Sequence, residues 1–86
     1  VPEISRFLGM VITMYYSDHE PAHFHVRYGE QRAKIDIESG ELLDGQLPRR
    51  ALELVREWRM INDEELRQNW RRALAREPLN KIEPLE

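Results

Sequence analysis

Hydrophobic positions along the chain change period once, near Pro48. Between His23 and Glu38 they alternate: Phe24, Val26 and Tyr28 fall on one side and His23, His25 and Arg27 on the other. Ala33, Ile35 and Ile37 then stand against Arg32, Lys34, Asp36 and Glu38. A period of two is that of half-buried strands. A looser alternation from Phe7 to Tyr16 predicts a strand before these. Glu41-Leu42-Leu43, set between the turn signals Ser39-Gly40 and Asp44-Gly45, predicts a short one after them. Gly29-Glu30 suits a two-residue type II′ hairpin with glycine first. Pairing Tyr28 with Gln31 then sets Val26 opposite Ala33 and Phe24 opposite Ile35, with His25 facing Lys34 and His23 facing Asp36. A slip of one residue would bury the polar set instead.

From Pro48 the spacing lengthens to three and four residues through Ala51, Leu54, Val55, Trp58 and Ile61, the stripe of an amphipathic helix. Proline suits the first turn of such a helix, where its missing N–H would be unpaired anyway. Asn62 can cap a second helix with Glu65 three residues on; Leu66, Trp70, Ala73 and Leu74 form its stripe until Pro78 stops it. The segment after Pro78 reads as irregular. The fold class is therefore α+β: a small antiparallel sheet of three to four strands with two C-terminal helices packed on one face. Both tryptophans lie on apolar stripes and anchor the core. The helices take the Phe24/Val26/Ile35 face, which leaves His23, His25, Arg27, Arg32 and Lys34 on the other.

Size and composition narrow the classes. A chain of 86 residues makes a single domain, residues 1–86, with one modest core. It contains no cysteine, which excludes a disulfide, a thiolate zinc site and a thiol nucleophile. No run approaches the ~20 apolar residues of a membrane span, and no basic stretch precedes an apolar one as in a signal peptide, so a cytoplasmic protein without membrane contact is expected. The net charge of −3 is unevenly distributed: residues 1–48 carry −4, residues 49–76 carry +3 and the remainder −2. Eleven of the thirteen cationic side chains are arginine, whose planar fork matches carboxylate or phosphate in two-point contacts. An arginine helix interspersed with glutamate is nonetheless most simply a solvated face, and the acidic balance argues against nucleic acid as the favoured partner.

All three histidines fall in one short run, Asp18-His19-Glu20-Pro21-Ala22-His23-Phe24-His25. Neutral imidazole offers a lone pair and titrates near pH ~6.5, so such a cluster can bind a metal, move protons or hold an anion. On a strand, His23 and His25 project from one face about 7 Å apart, from the ~3.3 Å rise per residue, and His19 on the preceding loop could complete a set of metal ligands. Asp18, Glu20 or Asp36 would then serve as fourth ligand or as the carboxylate that fixes an imidazole tautomer, a set suited to zinc or another divalent transition metal. Without metal, His23 or His25 could act as a general base on RNA or another phosphate ester held by Arg27, Arg32 and Lys34. The plain alternative is a turn at Asp18-His19, a His23–Asp36 cross-strand pair and an exposed His25.

Three segments in order resemble the bacterial domain-of-unknown-function family 4160: Pro2-Glu3-Ile4-Ser5-Arg6-Phe7, then Asp18-His19-x-Pro21-x-His23-Phe24-His25-Val26-x-Tyr28, then Ile37-Glu38-x-Gly40-Glu41-Leu42-Leu43-x-Gly45-x-Leu47-Pro48-Arg49-Arg50. The likeness spans nearly the whole chain and departs at Ala22, where a second proline is common. The resemblance implies a small bacterial protein, often encoded beside another small domain, with a toxin–antitoxin-like role and no established reaction. The expectation is a regulatory or toxin–antitoxin-like binding module with a histidine-centred polar site. Its partner would be a protein encoded nearby, met by the helix arginines Arg49, Arg50, Arg56, Arg67, Arg71 and Arg72 or by the sheet edge. The alternative is a zinc-type hydrolase or nuclease using His19, His23 and His25.

Overall fold

The computed structural model describes residues 3–16 and 19–85. Five strands, β1 (Glu3–Phe7), β2 (Met10–Thr13), β3 (His23–Tyr28), β4 (Gln31–Asp36) and β5 (Leu42–Gly45), form an antiparallel meander in the order of the chain. Two helices follow, α1 (Arg49–Ile61) and α2 (Asp63–Leu74). The α+β class holds, and the sheet has five strands rather than three or four. The additional strand arises because the loose alternation around Phe7 hides a hairpin. Phe7 pairs with Met10 across Leu8 (φ 50°) and Gly9 (φ 83°), a type I′ pattern in which both central residues are left-handed. Leucine is a poor signal for that conformation, which crowds its Cβ against the following carbonyl.

The β3–β4 register is as expected: Tyr28 faces Gln31, Val26 faces Ala33, His25 faces Lys34, Phe24 faces Ile35 and His23 faces Asp36. Gly29 has φ 60° while Glu30 is not among the left-handed residues, as a type II′ turn requires. Ile12, Val26, Ala33, Phe24 and Ile35 turn to the helices and meet Ala51, Val55, Trp58 and Leu66 in one core. The Trp58 ring centroid lies 5.7 Å from that of Phe24, edge-on, and 5.4 Å from that of Phe7.

Asn62 joins the helices without capping α2 through its side chain. Its buried amide instead donates to the Trp58 carbonyl at 3.0 Å, closing the end of α1. Three acidic residues, Asp63, Glu64 and Glu65, open α2 and Arg71 and Arg72 close it, in the sense the helix dipole favours. α2 ends before Pro78: Arg76 turns left-handed (φ 59°) and the Glu77 N–H donates to the Arg72 carbonyl at 2.8 Å, a Schellman closure with arginine in the place glycine usually takes. The irregular tail is well anchored. The Ile82 N–H donates to the Ile4 carbonyl at 2.7 Å along the outer edge of β1, the Trp58 indole donates to the Glu83 carbonyl at 2.8 Å, and the Asn69 amide holds Asn80 through two hydrogen bonds.

Candidate functional site

The face of the sheet turned away from the helices is where the polar half of the alternation gathers. In register across it, Thr13 faces His25 and His25 faces Lys34, while Val11 faces Arg27 and Arg27 faces Arg32. Lys34 in turn faces Asp44 on β5. A concavity of about 430 Å³ opens there, lined among others by Glu3, Arg6, Thr13, Tyr15, His25 and Arg27. A second of about 180 Å³ adjoins it, with Lys34 and Asp44 in its wall, and His25 and Arg32 belong to both. The two together make a trough running across the strands from β1 to β5.

The histidine run divides between environments. His25 is half-buried on the open face, its ring 4.5 Å from that of Tyr15 and at 82° to it. His23, expected beside it in solvent, is only 2% exposed. Its ring lies 5.1 Å from His25 and 5.3 Å from Trp70, so the α2 tryptophan covers the end of the strand that parity alone would leave open. The His23 Nδ1 stands 2.6 Å from the Pro21 carbonyl oxygen. A carbonyl can only accept, so Nδ1 carries the proton and donates, which fixes the ring. His23 is thus a packed, oriented side chain. His19 is exposed on the loop, and Asp18 lies outside the described residues. Among the described residues no three His, Asp or Glu side chains come together as metal ligands. Asp36 is engaged in the turn after β4, where its Oδ1 accepts from the N–H groups of Glu38 at 2.7 Å and Ser39 at 3.1 Å.

Arg27, Arg32 and Lys34 are where the alternation put them, but Glu3, Arg6, Thr13 and Tyr15 were not foreseen. Extending the polar parity of β3 to a paired β2 would have found Thr13; Arg6 and Glu3 become visible once Gly9 is read as a hairpin. Arg6 grips Glu3 in a two-point pair, Nη2 to Oε1 at 2.8 Å and Nε to Oε2 at 3.2 Å. That hydrogen bonding holds the Glu3 carboxyl below the usual carboxylate range against the opposing effect of desolvation, and the charges of Arg6, Lys81 and Arg27 act in the same direction. Among the described residues no carboxylate comes within ion-pair distance of Arg27 or Arg32.

Of the helix arginines, Arg56 and Arg59 are engaged with the sheet, and three others pair with carboxylates of their own helix. Arg56 donates to the Gly40 carbonyl at 2.9 Å, and Arg59 to the Ile37 carbonyl at 2.7 Å, which ties α1 to the β4–β5 turn. Arg67 pairs with Asp63 at 3.1 Å, and Arg49 and Arg50 both approach Glu53 at 3.8 Å. None of the helices in the described residues is long and apolar enough to cross a membrane.

Comparison with known proteins adds one finding. The family model for a domain of unknown function (DUF4160) matches residues 9–71, a span from the β1–β2 turn well into α2 that includes the histidine run. No curated protein and no solved structure matches the chain.

Proposed function

The chain belongs to the DUF4160 family, whose function is unknown, and we propose that it is a small binding module, of the regulatory or toxin–antitoxin-like kind, that takes an anionic partner on its open sheet face. The observation that carries this reading is the Arg27–Arg32 pair. Two like charges directly opposed across strands are destabilising, and the carboxylate whose charge acts on Arg27, Glu3, is hydrogen-bonded to Arg6 and not to the pair. A local rule broken with no ion pair to either arginine among the described residues is typical of a position kept for a ligand. An anion between the two guanidinium groups removes the repulsion and gains two-point hydrogen bonds from each. Lys34 and His25 flank that position and supply further donors. The reading places the interface on the sheet face rather than on the helix arginines, of which Arg56 is engaged with the β4–β5 turn.

Isothermal titration with inorganic pyrophosphate and with a glutamate-rich peptide tests it. The wild type binds at least one of them, more weakly as salt rises, and the double reversal Arg27→Glu/Arg32→Glu loses more than about tenfold in affinity while staying folded, a loss on the scale of charge-assisted contacts. Equal binding by the folded double variant, or no binding of either probe by the wild type, overturns the reading.

A further inference from the structure

We infer that the anion taken by this face is single-stranded RNA, an inference that rests on reading the face as anion-binding and adds the identity of the ligand. Three features of the trough go beyond what a simple acidic segment needs. The first is aromatic: Tyr15 and Tyr16 leave β2 as consecutive exposed rings, 38% and 42% accessible, and Tyr15 lines the larger concavity beside Arg27 and Arg6. Tyr15 meets His25 in an edge-to-face contact at 82° and not in a parallel stack. Rings placed beside arginines are the platform on which unpaired bases stack, and a base–aromatic stack is sequence-tolerant because every base has a π-face.

The second feature is direction. Arg6, Arg27, Arg32 and Lys34 come from β1, β3 and β4, and Asp44 closes the far end on β5, so the cations are spread along a line that crosses the strands. From β1 to β4, three steps of the ordinary ~4.8 Å strand separation, the cations span about 14 Å, suited to a short run of backbone phosphates rather than one isolated anion. The trough sets four cations, Arg6, Arg27, Arg32 and Lys34, against Glu3 and Asp44, a local positive excess within a chain whose net charge is −3. The third is the floor, where the Thr13 hydroxyl faces His25 in register between the tyrosine and the arginines. A hydroxyl and an imidazole can donate to and accept from a ribose 2′-OH, the group that separates RNA from DNA. A duplex is disfavoured, since its bases are already stacked on one another and have no face to offer Tyr15.

Fluorescence anisotropy of the whole chain with a labelled eight-nucleotide RNA tests the inference, set beside the same sequence as DNA, the RNA duplex and a glutamate-rich peptide. With about three phosphates contacted at ~0.7 per contact, log K for the RNA falls with log salt at a slope near −2, and Arg27→Ala brings the slope up by ~0.7. Tyr15→Ala weakens RNA about 5- to 160-fold, the range of a lost base stack, without weakening pyrophosphate, and Tyr15→Phe restores it. Thr13→Val narrows the preference for RNA over DNA. If RNA and the acidic peptide bind alike and Tyr15→Ala changes neither, the anion-binding face stands and the RNA inference falls. DNA or duplex bound as tightly as the RNA strand also overturns it. If nothing anionic binds, both readings fall together.

Discussion

Replacing Arg32 with glutamate should stabilise the fold and impair binding at once, a combination that separates a functional arginine pair from a structural one. In the register of the hairpin Arg32 stands directly opposite Arg27, both exposed. Taking the charges as ~7 Å apart, a little beyond the ~5 Å between opposed Cβ atoms, Coulomb's law in water gives a repulsion of about 0.6 kcal/mol. At physiological ionic strength, with a Debye length of ~8 Å, about 0.25 kcal/mol of it survives. Arg32→Glu turns this repulsion into an attraction of similar size, a swing of about 0.5 kcal/mol at physiological salt and about 1 kcal/mol at low salt. At about 4–8 °C per kcal/mol for a domain of this size, Tm should rise by about 2–4 °C at physiological salt, measured by circular dichroism melting. The gain should shrink as salt is added. In the same preparation pyrophosphate affinity should fall. A variant with lower Tm at low salt, or one with unchanged affinity, would refute the reasoning, because the pair would then be held by contacts of its own.

Three further outcomes follow from the geometry. Leu8→Asn, at an exposed left-handed position that asparagine tolerates better, should raise stability by about 0.5–1 kcal/mol in urea unfolding; no change or a loss would mean the turn does not strain leucine. Gly45→Ala should cost at least about 3 kcal/mol or abolish folding, since a Cβ there would stand 2.1 Å from the Arg32 carbonyl oxygen at a φ of +82°; a near-neutral effect would contradict the β4–β5 pairing. His23→Ala should destabilise by about 2 kcal/mol through lost packing against Trp70, whereas His25→Ala should change stability by less than about 0.5 kcal/mol and lower anion affinity; the reverse order would show that the two rings have been assigned the wrong roles.

Strict alternation is a strong signal because a half-buried sheet allows one answer, so the β3–β4 hairpin, its register and its turn could be derived from Phe24, Val26, Ala33 and Ile35 alone. The apolar stripes of both helices were legible for the same reason. The first hairpin was not, because leucine occupies a position usually marked by asparagine, aspartate or glycine, and a run joined through Leu8-Gly9 reads as one strand. The tail carries no period in the sequence and is irregular in the fold. It is held along β1 by the Ile82 and Lys81 hydrogen bonds, the Trp58 indole and the Asn69 clamp, contacts between distant residues with no local pattern. The site was half legible. Parity placed His25, Arg27, Arg32 and Lys34 on one face, and also placed His23 there, since parity says nothing of a tryptophan arriving from a helix more than forty residues further along the chain. Asp36 looked free for chemistry because an Asx-type turn is visible only when the following amides are seen to fold back on it. The ties of Arg56 and Arg59 to the Gly40 and Ile37 carbonyls were not legible either, because a backbone acceptor carries no side-chain signature.

The central claim, that the uncovered sheet face is the working surface, is tested most directly by mapping amide chemical shifts during titration with pyrophosphate. Changes should concentrate at Thr13, Tyr15, His25, Arg27 and Arg32, with α1 and α2 unmoved. Changes confined to the arginines of the helices would contradict it.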